Sequence, residues 1–233
     1  MKYLVVSDIH SNLEAMQAVL KYAKKIGYDQ ILCAGDVVGY NANPNEVIDI
    51  LRNEDTICIR GNHDREVVGG AWPEDFGGPA AIAVVWTQAN IGPDHLVWLA
   101  ALPVGPLDLD GFRLVHGSHR DEDEYLFGAE DLEGPELESA PRITFFGHTH
   151  HPIAFSGSTH TQTTGTVELR KKSWMINPGS VGQPRDGDSR TSFVIWDASK
   201  GTARFYRIPY DFKLTQKKIL EAGLPAVLAI RLG

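Results

Sequence analysis

The segment ITFFGHTHHPIAF (Ile143–Phe155) places three histidines, His148, His150 and His151, in a Gly-containing turn that ends an apolar run. An imidazole there can ligate a metal, relay a proton or simply hydrogen-bond in a loop, so this turn alone does not choose. Other apolar runs end the same way. The first leads into Asp8 and His10 (SDIH), the second into Asp36 (AGDVVGY), the third into Asn62, His63 and Asp64 (RGNHD), and a later one into His116 (VHGSH). A single Asp or His after a strand is ordinarily a cap or turn residue, but so many such ends in one chain exceed what capping explains. The donors are oxygen and nitrogen, without thiolate. Such a set suits Mn, Fe, Ni or Zn in an open catalytic site rather than a closed Cys-type zinc site. There are too many donors for one ion, whereas two ions roughly 3.5–4 Å apart that share a carboxylate would use them all. Gly35, Gly61, Gly117 and Gly147 adjoin the candidate ligands, where the backbone must turn sharply.

The elements that would position these groups follow from periodicity. KYLVVSD, DQILCAGD and TICIRGN read as buried strands. SNLEAMQAVLKYAKKIG places Leu13, Met16, Val19, Leu20 and Ala23 at helical spacing before Gly27, and NPNEVIDILRN reads as a helix with Pro44 near its first turn. Alternation of this kind predicts parallel strands joined by crossover helices. The middle of the chain predicts two short helices, GPAAIAVVWTQAN and GPDHLVWLAAL, with Trp72, Trp86 and Trp98 as packing anchors or, if the segment overhangs the metals, a place for substrate selection. Then come strands FRLVHG, RITFFGHTH, WMINPGS, TSFVIWD and TARFYRI, a polar loop or hairpin SGSTHTQTTGTVELRKKS, and a terminal helix TQKKILEAG. With no internal repeat and no biased linker, residues 1–233 read as one α/β domain.

The chain of 233 residues is 42% hydrophobic, enough for a sizeable core. Its net charge of −8 gives no basic field for non-specific nucleic-acid binding, so an anionic substrate must be recruited locally. Cys33 and Cys58 lie in apolar runs and read as buried thiols. MKYLVVSDIH is too short and too soon acidic for a signal peptide, and no apolar run approaches the roughly 20 residues of a membrane span. A cytoplasmic protein that does not engage membranes is expected. There is no P-loop, no Gly-x-Ser-x-Gly elbow, and HTHHP lacks the Asp of an H-x-H-x-D-H ligand run. The run DEDE (Asp121–Glu124) reads as a solvated charge run. His95, His119 and His160 have no motif support.

Taken in order, D8-x-H10, G35-D36, G61-N62-H63-D64, H116-G117 and G147-H148-T149-H150 resemble the motifs of the calcineurin-like metallophosphoesterases. INPGSVGQPRDGDSR (Ile176–Arg190) is similar to a further block of the small prokaryotic, YfcE-like phosphodiesterase branch. The resemblance implies a four-layer αββα sandwich, with mixed sheets and helices outside. It also implies a dinuclear site: Asp8, His10 and His150 on one ion, Asn62, His116 and His148 on the other, Asp36 bridging, and His63 as the catalytic histidine that binds neither. His151 is then a bystander or a group that supports the ligands from behind. The implied activity is hydrolysis of a small phosphodiester or nucleotide by a hydroxide that two divalent ions activate, Mn foremost, with Fe, Ni or Zn as substitutes. The same motifs also serve dinucleoside polyphosphate hydrolases, phosphomonoesterases and protein phosphatases, and a scaffold role without activity is the contrasting class. Many members carry Gly-Asp-x-x-Asp, the second Asp orienting the catalytic histidine; here Gly39 stands in that place, and Asp64 is the candidate replacement. Arg60, Arg120, Arg185 and Arg190 are candidate phosphate contacts, Arg120 and Arg185 foremost, and Tyr40 and Asn41 candidate leaving-group contacts.

Overall fold

The computed structural model describes residues 1–132, 143–157, 161–169 and 172–233. Strands β1 (Lys2–Val6), β2 (Gln30–Cys33) and β3 (Ile57–Cys58) pair in parallel, with Val6 beside Cys33 and Cys33 beside Cys58. Helix α1 (Leu13–Ile26) connects the first two. The Asn12 side chain caps it by accepting from the Ala15 N–H at 3.1 Å, and Gly27, at φ 82°, ends it. Helix α2 (Pro44–Asn53) connects the next two and buries Val47, Ile48 and Leu51. The third strand is shorter than TICIRGN suggested: helix α3 (Asn62–Gly69) begins at Asn62 itself, so Asn62 and His63 occupy a first helical turn.

Two six-stranded sheets face each other among the described residues. The first runs β3-β2-β1-β11-β12-β9, with β11 (Thr191–Asp197), β12 (Thr202–Ile208) and β9 (Thr166–Glu168) added antiparallel. The second runs β4 (Leu107–Leu109), β5 (Phe112–Leu114), β6 (Ile143–Phe145), β10 (Trp174–Pro178), β7 (Pro152–Phe155) and β8 (Thr161–Gln162). Side chains alternate across each strand. Val5, Leu32, Val194 and Trp196 of the first sheet therefore pack on Phe112, Phe145 and Ile176 of the second, while Leu4, Val6, Ile31 and Phe193 face α1 and α2. Each fully buried Leu or Phe in these layers contributes about 1.5–3 kcal/mol.

Helices α4 (Gly78–Asn90) and α5 (Pro93–Ala100) form where Gly-Pro opens each pattern. Trp86 and Trp98 pack against cores, but Trp72 is 53% exposed and anchors nothing. The stretch that reads as a polar loop or hairpin crosses between the sheets: β8 pairs with β7, and β9 with β12. Residues 158–160 and 170–171 of that stretch, His160 among them, lie outside the described residues. The terminal helix α6 (Phe212–Glu221) starts earlier than expected because Asp211 caps it on the Leu214 N–H, and a short α7 (Ala226–Ile230) follows. No described helix is long and apolar enough to cross a membrane.

Candidate metal centre

Because β1, β2 and β3 run parallel, their ends deliver Asp8, Asp36 and Asn62 to one edge of the first sheet. The loops there are woven together: Asp8 N–H donates to Gly35 O, His10 N–H to Asp36 O and Ser11 N–H to Val37 O, at 2.9–3.0 Å. His116 follows β5, and His148 and His150 follow β6, so the facing sheet brings the remaining groups. Two clusters form, Asp8–His10–Asp36–His150 and Asp36–His116–His148, all buried. Asp36 belongs to both. Its Oδ2 lies 3.4 Å from Nε2 of His10 and 3.4 Å from Nε2 of His116, while Oδ1 accepts the His63 backbone N–H at 2.9 Å.

The ring nitrogens are aimed by backbone carbonyls. Nδ1 of His10 donates to Val38 O (3.0 Å), that of His116 to Ala34 O (2.8 Å) and that of His150 to Gln183 O (2.6 Å). A carbonyl only accepts, so each bond fixes a tautomer that turns Nε2 inward. His148 is reversed: its Nε2 meets Asp123 O at 3.1 Å, which leaves Nδ1 as its inward nitrogen. Burial pushes His10 and His150 well down and His148 to about 4, so these rings are neutral. Burial would also lower His116, but neighbouring Asp36 outweighs it and holds the group at about 10, a position that favours positive charge. Burial, with the Asp36 charge adding to it, raises Asp8 to about 7.

These groups fit divalent cations. Nε2 of His10 and Nε2 of His150 stand 3.1 Å apart with both Nδ1–H groups already committed, so two lone pairs converge and neither supplies a proton. Asp8 Oδ2 is buried with no hydrogen-bond partner. Asn62 Oδ1 is 3.1 Å from Nε2 of His116. Backbone strain concentrates at the same residues: Asp8, His10, Asp36, Tyr40, His148 and His150 all have φ between 47° and 67°. Non-glycine residues in this left-handed region cost about 1–3 kcal/mol each and persist only where surroundings over-determine them. Here the surroundings include Asn177, which donates to Gly147 O (2.7 Å) and Thr149 Oγ1 (3.0 Å), and Ser180, which donates to Asp8 O (2.8 Å). The INPGS block thus clamps the GHTH turn and the Asp8 loop.

His63 stands beside the clusters in a cage of rings, with centroids 4.5 Å from Tyr40 and 4.7 Å from both Phe76 and His10. Burial lowers it to about 4, and its Nδ1 has no partner. Asp64 does not orient it. The Asp64 carboxylate accepts the backbone N–H groups of Val37, Val38 and Gly61 at 3.0–3.2 Å. Phe76 was not foreseen, because its stretch AWPEDFGGP carries no periodic or motif signal.

Of the candidate arginines, Arg60 pairs with Glu122, Arg120 with Glu124 and Arg190 with Asp188; none of the three lines the cleft over the clusters. Arg185 does line it, donating to Tyr40 Oη at 3.1 Å. Asn41 is tied to His10 O at 2.7 Å. His95 pairs with Asp49, and His151 turns to Thr149 O, away from the centre. The DEDE run is no idle solvated stretch: Glu122 and Asp123 bind Arg65, and the Asp123 carbonyl aims His148. The cleft itself, about 340 Å3, is lined among others by Asp36, Asn62, His63, Phe76, Tyr125 and His148.

Comparisons with known proteins agree with this geometry. Residues 1–201 match the family model described as the calcineurin-like phosphoesterase superfamily domain. An uncharacterized protein of Methanocaldococcus jannaschii is 37% identical, covering 98% of this chain and 96% of its own. Phosphodiesterase YfcE of Escherichia coli is 27% identical, covering 81% of this chain and 83% of its own. Among solved structures, a metallophosphoesterase from Sphaerobacter thermophilus superposes with a TM-score of 0.85 at 33% identity, covering 100% of this chain and 98% of the other. With its paired mixed sheets, its buried Asp and His clusters and a match that spans all the strand-end motifs, this chain belongs to the calcineurin-like phosphoesterase superfamily.

Proposed function

We propose that the protein hydrolyses a small phosphodiester with two divalent ions, Mn foremost, and that residues 1–233 work as a single domain. Asp8, His10, Asp36 and His150 would hold one ion, and Asp36, Asn62, His116 and His148 the other. The observation that carries this reading is Asp36 Oδ2, equidistant at 3.4 Å from one histidine of each cluster. When bound, two such ions supply Lewis acidity and lower the pKa of an attacking water.

The chain supplies position. The carbonyls of Val38, Ala34, Gln183 and Asp123 hold the imidazoles in fixed tautomers, so little reorganisation accompanies substrate entry. Asn62 is a neutral donor, which leaves net positive charge facing an anionic substrate. His63, neutral and lining the cleft, can donate a ring N–H hydrogen bond to the leaving oxygen and so stabilise the charge that develops there. Arg185, with no carboxylate partner among the described residues, is placed to meet a phosphoryl oxygen, and Tyr40 holds that guanidinium in place.

The test is an initial-rate comparison of chelated and Mn-reloaded protein on bis(4-nitrophenyl) phosphate, 4-nitrophenyl phosphate and diadenosine tetraphosphate. Turnover restored by metal and highest on the diester is expected. A preference for the monoester or the polyphosphate would move the substrate class, and silence on all three with two ions bound would refute the reading.

A further inference from the structure

Two arginines bracket the Gly61–Asp64 block, Arg60 before it and Arg65 after it, and both reach across to the acidic run Asp121–Glu124. Glu122 Oε1 accepts from Arg60 Nη2 at 3.1 Å and from Arg65 Nη1 at 2.5 Å. Arg65 also donates to both carboxylate oxygens of Asp123, at 2.8 and 3.3 Å. An isolated surface pair of this kind adds little. Here two guanidiniums share one carboxylate that is only 15% exposed, so solvent screens it less and each pair holds the others in register.

The segment gripped in this way touches each donor that only the second ion would use. Asn62 lies in the bracketed block itself. Gly117, next to His116, sits so close under the run that a Cβ there would be 2.7 Å from the carbonyl oxygens of Asp121, Glu122 and Glu124. His148 depends on it most: its Nε2 donates to Asp123 O at 3.1 Å, and Tyr125 packs on its ring with centroids 4.1 Å apart. Residues 115–128 form neither strand nor helix, so the position of the Asp123 carbonyl depends on side-chain contacts rather than on a sheet ladder. The histidines of the first cluster rest elsewhere, His10 on Val38 O and His150 on Gln183 O.

We propose that Arg65 is a positioning residue for His148 and, through it, for the second ion. It docks the Asp123 carbonyl on α3, and that carbonyl keeps Nδ1 of His148 turned inward. The proposal rests on the dinuclear reading above and goes beyond it by making the two ions unequal. The first is held by ligands set in the scaffold, the second through a clamp of charges near the surface. Loosening the clamp should empty one place and leave the other filled.

Calorimetric titration of the full chain with Mn tests it. R65Q should weaken the second ion about tenfold, the lower end for groups that support a ligand from behind, and leave the first within about twofold. D123N keeps the backbone carbonyl and loses only the clamp, so it should reproduce that loss, and R65Q/D123N should go no further than either alone. R65K, which retains the charge without the fork, should recover part of it. Unchanged affinity for the second ion, equal weakening of both ions, or additive losses in the double variant overturns the proposal. Long-range ¹H–¹⁵N spectra of the metal-free chain add a readout that needs no ion, with the His148 signals identified by their absence in H148N. Wild-type His148 should be the Nε2–H tautomer, and R65Q should mix in the Nδ1–H form. If the wild type binds fewer than two Mn ions, the dinuclear reading fails and these spectra alone judge the clamp. A tautomer change in R65Q upholds it; identical spectra overturn it.

Discussion

Gly39 and His63 are fitted to each other: a Cβ on Gly39 would lie 2.5 Å from Nδ1 of His63. Nδ1 of His63 is buried against Gly39 with no hydrogen-bond partner, so packing rather than a carboxylate sets this edge of the ring. Gly39 also has φ 102°, which an L side chain rarely adopts. Gly39→Ala should therefore push the ring aside and lower kcat about 10–100-fold, the cost of misplacing a catalytic group by about 1 Å. Metal content, read by elemental analysis, should stay near wild type. Unchanged kcat would show that the His63 position is immaterial.

His63→Ala should leave both ions in place and cut turnover by about 10²–10³-fold, the range for removing one hydrogen-bond donor to developing charge. In the Gly39→Ala/His63→Ala double variant the glycine change should add nothing further, since the ring it displaces is gone. Additive losses in single-turnover rates would mean that Gly39 acts through another group.

Asp36→Asn removes the shared anion while keeping the shape of the side chain. Bound metal should fall from two ions to one or none, and activity should go with it. A fully metallated, active Asp36→Asn protein would end the bridging assignment.

Asp64 accepts three backbone N–H groups from two loops that carry site residues. In Asp64→Asn an amide N–H₂ must face at least one of those donors, so the loss should be about 2–4 kcal/mol of stability, combining a charge-assisted bond with an unsatisfied buried donor. Denaturant midpoints measure it. The wild-type midpoint would make the clamp dispensable.

Asn177→Ala frees the Gly147 carbonyl and the Thr149 hydroxyl, and with them the turn that holds His148 and His150 in left-handed conformations. Supporting residues of this kind contribute about 10–100-fold in metal affinity. Calorimetric titration with Mn should show a loss of that size, and an unaltered affinity would confine Asn177 to the fold.

Much of the centre was legible because strand ends leave a compositional mark. An apolar run that stops at Asp or His names both the element and the group it delivers, and this held for Asp8, Asp36, His116 and the GHTH turn. What could not be read had no such mark. The Asp123 carbonyl that aims His148 is a backbone atom inside an acidic run, and a backbone acceptor looks the same in every sequence. Phe76 reaches His63 from a Pro- and Gly-rich stretch whose path depends on where α3 and α4 pack. The split of β8 and β9 between sheets was hidden because β9 finds its partner in β12, tens of residues away, while the local polar pattern fits a hairpin equally well.

Asp8, His10, Asp36 and Asn62 hang from one sheet, and His116, His148 and His150 from the other, so the centre is a seam across the sandwich. Neither sheet owns a complete set of donors. It follows that a cation spanning the seam resists the sliding or parting of the two layers, and that the donors meet only after segments 140 residues apart have docked. Metal capture then belongs to the last stage of assembly, and a loaded centre makes the sheets come apart together or not at all.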